Sequence, residues 1–260
     1  MSDVAAALEV STPAALSAPY YAALALYAAA LAASLPCPRI GRRLLSVGVL
    51  VHCGATLGRG WAIAFFPLTN KMESFSAAAL ALAVVTALSW REVRLYSVSL
   101  LLLVCLTMLA ALSFPLALSF PPPLMQTLWY PLHVPLSFLA YAAWAAAAAA
   151  SLVWLRDRDP AWLDHIDRLA LNGFALWSLS MICGGLWGVV AWGAYFLWDV
   201  KIVWSVILWF HYASFIHLRF TPALFARPWV RPALAIVGFA WVLVAYVGTS
   251  FFFGRSSHAF

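Results

Sequence analysis

Charge is what this sequence lacks most. Only 9% of its 260 residues are Asp, Glu, Lys or Arg, whereas 65% are hydrophobic. A soluble domain carries about 25% charged residues and about 45–50% apolar residues. So few charges could not cover a surface that faces water. This composition excludes a soluble enzyme, a nucleic-acid-binding domain, a disordered protein and a disulfide scaffold.

Cysteine is also scarce, and its spacing carries no metal or haem signal. The four cysteines are Cys37, Cys53, Cys105 and Cys183. They form neither a C-x-x-C pair nor a C-x-x-C-H segment. This spacing excludes a zinc site and a haem-attachment site that belongs to the chain itself.

Long apolar segments dominate what is present. A membrane-spanning helix needs about 20 mostly apolar residues. The first segment is not a cleavable signal, because residues 1–10 hold two acidic residues and no basic one. We predict an all-α integral membrane protein, a bundle of about eight transmembrane helices forming one polytopic domain over residues 1–260. The predicted spans are roughly 18–36, 44–65, 75–90, 96–113, 132–155, 169–190, 204–219 and 229–251.

Basic residues predict the orientation of the bundle. Lys and Arg collect on the inner side of membrane proteins. With the N-terminus outside, most of the 15 basic residues fall in inner loops. The outer side keeps only Arg59, Lys71, Lys201 and Arg255. We therefore expect both termini on the outer side.

Four histidines fall at matching depths on this topology. His52 and His217 lie in the second and seventh spans, each about 13–15 residues, or roughly 20–22 Å, from the outer boundary. His133 and His258 both lie at the outer side. Two imidazoles on opposite faces of haem iron complete its six-coordination. The histidines could equally be packing residues that form hydrogen bonds. We expect His165, in the charged inner loop, to be solvated.

A tryptophan-rich segment lies between the sixth and seventh spans. Its aromatic residues are Trp187, Trp192, Tyr195, Phe196, Trp198 and Trp204, with glycines between them. Asp199 and Lys201 are among the few charges on the outer side. Such a segment could be part of an interfacial aromatic belt. Its local clustering with small residues favours a hydrophobic shelf for a planar macrocycle.

This segment resembles the WWD signature of the haem-handling proteins of cytochrome c maturation, commonly written W-G/A-x-x-x-W-G-x-Y-W-x-W-D. Four further stretches, in order, resemble the CcsA/ResC type of the system II pathway. They are LGRGWAIAFFPLTNKMES, LHVPLSFLAYAAW, IHLRF and SSHAF. The resemblance runs from about residue 45 to residue 260. The chain departs from the family's W-D-P-K-E by having Val200 and Ile202 in place of Pro and Glu.

The resemblance implies a function and a set of site residues. His133 and His258 would be outer ligands of haem iron, and His52 and His217 an intramembrane pair. The WWD loop, about 185–204, would hold haem b as cargo. Its implied haem-contacting residues are Trp187, Trp192, Tyr195, Trp198 and Asp199. The implied activity is transport of haem and its presentation to the C-x-x-C-H segment of apocytochrome c.

The same resemblance implies a setting in the bacterial inner membrane. A separate ResB-type membrane protein with a large outer domain would be the partner, because the longest outer segment here, near 113–131, is too short to fold alone. Membrane lipid would be the other contact, and no nucleic acid is expected. Whether the chain is the catalytic part of a holocytochrome c synthase (haem lyase) stays open. A system I haem exporter and a b-type electron-transfer subunit are the alternatives.

Overall fold

The computed structural model describes residues 14–248. Within that range, eight helices are long and apolar enough to cross a membrane. This confirms the predicted helical class and the number of spans. The helices are α1 (Ala14–Ser34), α2 (Pro38–Ile63), α3 (Lys71–Leu88), α4 (Arg94–Leu112), α5 (Trp129–Asp157), α6 (Ala161–Trp192), α7 (Val200–His217), the short α8 (Pro222–Phe225) and α9 (Val230–Leu243). A single turn of 3-10 helix, Leu218–Phe220, continues α7, and the π-helical Val244–Gly248 continues α9.

The helices group into two compact units that meet in sequence between Gln126 and Thr127. In the first unit, α1 packs against α2 and α4, and α3 packs against α4 and α2. In the second unit, α5 packs against α6 and α9, and α7 packs against α6 and α9. The assignment of all residues to one polytopic domain stays a prediction, as does the orientation of the termini.

Small residues let the central helices of the second unit approach closely. The alanines of α5 from Ala142 to Ala150 are interrupted only by Trp144, and all of these residues are buried. Trp144 packs against Gly173 of α6, where a Cβ would collide with the indole. On its other side, Trp144 stacks on Tyr212 of α7, with ring centroids 3.8 Å apart. Such small-residue contacts are the usual means by which membrane helices associate without a hydrophobic driving force.

Two helix ends place the tryptophan-rich segment. Helix α6 continues to Trp192 and ends at Gly193, whose φ of 71° is left-handed and suits glycine. Helix α7 begins after Asp199, whose carboxylate accepts a hydrogen bond from the Lys201 backbone N–H at 2.9 Å. Much of the segment predicted as an outer loop is therefore helical, and only residues 193–199 connect the two helices.

The connection between α5 and α6 is shorter than expected. Helix α5 ends at Asp157 and α6 begins at Ala161. His165 therefore lies on α6, where it is buried and contacts Trp162 edge to face. The expectation that His165 is solvated in a loop is wrong, because the apolar residues around it continue the helix across the charged stretch.

Candidate functional site

A cavity opens in the second unit where α5, α6 and α7 meet the connection 193–199. The enclosed space measures about 180 Å³. Ligand pockets are mostly apolar with a few polar groups. The cavity is lined by His133, Ser137, Tyr141, Trp177, Met181, Gly184, Gly185, Trp187, Gly188, Trp192, Ala194, Tyr195, Phe196, Leu197, Lys201, Ile202, Ser205, Ala245 and Tyr246.

His133 lines this cavity, and one of its two ring nitrogens is hydrogen-bonded to the backbone of α6. Its Nδ1 lies 2.8 Å from the carbonyl oxygen of Ser180 on α6. A carbonyl only accepts, so Nδ1 carries the proton and donates it. Nε2 is then the nitrogen with the lone pair. Metal-binding histidines typically have this arrangement, in which a backbone carbonyl orients the ring.

Two serines connect the N-terminal part of α5 to α6 beside this imidazole. The hydroxyl oxygens of Ser137 and Ser180 lie 2.6 Å apart, and each lies 3.0 Å from the His133 carbonyl oxygen. One hydroxyl donates to the carbonyl and the other donates to its neighbouring hydroxyl. Both serines are buried. The position of His133 is therefore determined by contacts to its backbone as well as to its ring.

Glycines on α6 give the histidine and the aromatic residues their space. A Cβ on Gly184 would lie 2.7 Å from His133 Nδ1. A Cβ on Gly185 would collide with the ring of Tyr195. These glycines therefore let His133 and Tyr195 pack directly against the backbone of α6.

Indole rings form the next part of the wall. Trp187 is buried and lies nearly parallel to the His133 ring, with centroids 6.3 Å apart and an interplanar angle of 22°. Trp192 packs edge to face on Trp187 at 4.7 Å. Four of the sequence-predicted site residues, His133, Trp187, Trp192 and Tyr195, thus line one cavity.

Other predicted site residues are not brought to this cavity. Trp198 is 89% exposed and is not among its lining residues. Asp199 caps α7 instead of lining the cavity. His258 lies outside the described residues. Roles for these three residues in haem binding stay predictions.

The two histidines predicted to lie within the membrane belong to different units. His52 is buried in the first unit, with the Tyr27 hydroxyl 3.1 Å from Nδ1 and the Ser76 hydroxyl 2.7 Å from Nε2. His217 ends α7 in the second unit, and its Nδ1–H donates to the Ala213 carbonyl at 2.7 Å. The lone pair of His217 is therefore on Nε2, whereas both ring nitrogens of His52 are hydrogen-bonded. Their pairing stays a prediction.

The model of the family described as cytochrome C assembly protein matches residues 68–254. The chain belongs to this family. The matched range includes the whole cavity lining, from His133 to Tyr246. Membership in this family was predicted from the tryptophan-rich segment and the four stretches, and the match confirms it.

The chain is similar to several proteins that are named for cytochrome c biogenesis. A "Cytochrome c biogenesis protein CcsA" of Gloeobacter violaceus is 39% identical over 109 residues, covering 41% of this chain and 31% of that protein. One of Prochlorococcus marinus (strain MIT 9515) is 30% identical over 166 residues, covering 50% and 52%. Another, from strain MIT 9313, is 27% identical over 256 residues and covers 80% of each. The chain thus spans 31% and 52% of the first two of these relatives and 80% of the third.

A solved structure shares the fold. "Cytochrome c Heme Lyase CcmF" superimposes with a TM-score of 0.69 at 20% identity, covering 95% of this chain and 48% of that one. At this identity the likeness concerns the fold alone.

The family stretch LGRGWAIAFFPLTNKMES forms a buried polar network in the first unit. Arg59 and Glu73 are both buried, and Arg59 Nε lies 2.6 Å from Glu73 Oε1. The same guanidinium donates to the carbonyls of Leu116 and Ala117. Glu73 Oε2 accepts from the backbone N–H of Thr69 at 2.7 Å. The network joins the segment after α4 to the C-terminal end of α2 and the N-terminal end of α3. We therefore assign this stretch a structural role.

Sequence reasoning missed several residues of the cavity. Ser180 and Ser137 orient His133, and Lys201 brings a charge to the lining. The signal for the serines was weak, because a serine in a transmembrane helix usually bonds within its own helix. Lys201 was noticeable as one of the rare charges on its side, but its sequence position alone did not place it in the cavity.

Proposed function

We propose that this protein holds haem in the His133 cavity and presents it for covalent attachment to apocytochrome c during cytochrome c maturation. The observation that carries the proposal is the orientation of His133. Its Nδ1–H donates to the Ser180 carbonyl, so Nε2 keeps a lone pair for iron. The family supports the pathway, and the cavity supports the ligand.

The cavity has the chemistry that haem needs. A porphyrin is flat and apolar, and the aromatic rings that line the cavity match both properties. One imidazole would occupy one axial position of the iron. His258 is the proposed second ligand, and about a dozen residues separate it from Tyr246, which lines the cavity.

The contribution of the chain to the reaction is proximity and orientation. Apocytochrome c would bring its C-x-x-C-H segment to the haem edge. Each thiol adds across a vinyl group, sulphur to one carbon and the proton to the other, so no oxidant is consumed. The histidine of the C-x-x-C-H segment can then replace one axial imidazole, which would release the product.

The proposal also includes the route and the partner implied by the family resemblance. Haem b would enter from the inner leaflet of a bacterial inner membrane with the help of His52 and His217. A ResB-type membrane protein would supply an outer domain. His52 would first have to give up its hydrogen bond to Tyr27 or to Ser76.

The test is purification from a haem-replete host, followed by exchange of His133. Wild type is expected to be red with a low-spin bis-imidazole spectrum. His133→Gly should lose haem and regain it when imidazole is added. His211→Gly is the matched control, because His211 also bonds a carbonyl, that of Leu234 at 2.9 Å, but does not line the cavity. A colourless wild type, or equal haem content in both variants, would contradict the proposal.

Deleting the gene separates this function from a b-type electron-transfer subunit. Such a subunit would leave covalent haem in c-type cytochromes intact. We expect covalent haem to be lost from the c-type cytochromes of the deletion strain, and their unaltered haem staining would favour the electron-transfer role.

A further inference from the structure

All the residues that line the cavity are described by the structure, and among them Lys201 is the only acidic or basic residue apart from His133. The rest of the lining is apolar, aromatic or neutral polar apart from the imidazole of His133. An ammonium group attracts anionic groups more strongly in apolar surroundings, because the local dielectric constant is low. This single charge therefore marks the side of the cavity at which an anionic group of a ligand would bind.

The start of α7 directs Lys201 to the cavity. Asp199 caps the helix through the Lys201 N–H, which determines where the first turn begins. Lys201 and Ser205 are four residues apart, so they share one face of the helix, and both line the cavity. The lysine thus belongs to the face of α7 that forms the wall.

The neighbour of Lys201 is also informative. Ile202 lines the cavity at the position where the family commonly has Glu. A carboxylate there would compete for the ammonium group and repel an anionic ligand. Asp199, the carboxylate nearest to Lys201 in sequence, accepts from the Lys201 backbone N–H and does not line the cavity. The lining of this chain is therefore more favourable to an anion than the common family pattern.

We propose that Lys201 binds a carboxylate arm of the haem and thereby determines the rotational position of the macrocycle in the cavity. This inference rests on the proposed function, because it takes haem as the ligand. Haem carries two carboxylate arms on one edge, with the vinyl groups away from that edge. An ammonium group that holds the carboxylate edge therefore positions the vinyl groups. Lys201 is a positioning residue, since it touches no reacting atom.

The test compares haem with its dimethyl ester, in which the carboxylates are neutral. The apoprotein in nanodiscs is titrated with each ligand, and the dissociation constants are read from the Soret band. Wild type should prefer haem over the diester by about tenfold, the effect of one partly exposed charged hydrogen bond. Lys201→Met should abolish that preference, and Lys201→Arg should retain most of it.

Lys71→Met is the matched control. Lys71 is the only other lysine in the sequence and also lies in the first turn of a helix, but in the first unit and outside the cavity. Its preference for haem should equal that of wild type. A preference that survives in Lys201→Met overturns the inference and indicates that the lysine holds another anion, such as a lipid phosphate. If wild type binds neither ligand, the proposed function itself fails, which is a different result.

Discussion

Replacing Gly184 with alanine tests whether the orientation of His133 matters for haem. The new Cβ would lie 2.7 Å from Nδ1 and 2.8 Å from Cε1 of His133. Ordinary van der Waals contact begins at 3.4 Å, so the ring must move off α6 by about 0.7 Å. Ser180 lies one turn earlier on the same helix, and its carbonyl is the acceptor for Nδ1–H at 2.8 Å. The displacement takes that bond to about 3.5 Å, beyond the normal range.

The consequence should appear in haem affinity. Loss of the group that orients a metal-binding histidine typically costs 10–100-fold in affinity. We expect Gly184→Ala to weaken haem binding by at least about tenfold, or roughly 1.4 kcal/mol. The assay is a Soret titration of the apoprotein in nanodiscs, with thermal unfolding measured in parallel to detect a general loss of stability.

Gly54→Ala is the control for the substitution itself. A Cβ on Gly54, in the middle of α2, would meet nothing within 4 Å. This variant should be neutral or up to about 1 kcal/mol more stable, because alanine favours helix. The reasoning about His133 is refuted if Gly184→Ala binds haem with wild-type affinity and an unshifted Soret band.

Two further comparisons test the network of the first unit and the aromatic wall. Arg59→Met should destabilise the protein by about 3–5 kcal/mol because Glu73 becomes an unpaired buried charge, whereas Arg39→Met removes only an exposed ion pair and should cost at most about 1 kcal/mol in thermal unfolding. Tyr195→Ala should weaken haem binding in the Soret titration, because Tyr195 lines the cavity. Trp61 of the first unit is 89% exposed and does not line the cavity, so its change to alanine should leave affinity unaltered. If the two arginine variants lose equal stability, or the two aromatic variants bind haem equally well, the structural assignment is contradicted.

Hydropathy alone predicted the class of this protein and the number of its spans. In lipid, each backbone group must be hydrogen-bonded within its own segment, so long apolar stretches can only be helices. The predicted ends were less accurate. Helix α6 continues to Trp192 because its αL stop, Gly193, comes later than the apolar pattern indicated. Helix ends depend on local caps, which the average hydropathy of a segment does not report.

The sequence by itself determined which residue types could carry the chemistry, because it holds only six histidines and one local cluster of tryptophans between two spans. Only the tertiary structure decided how they are used. Whether an imidazole offers a lone pair depends on what its other nitrogen meets. His133 meets a carbonyl on a different helix and keeps Nε2 for a ligand, whereas His52 has both nitrogens hydrogen-bonded by Tyr27 and Ser76. Those partners are distant in sequence, so packing between helices decides the outcome.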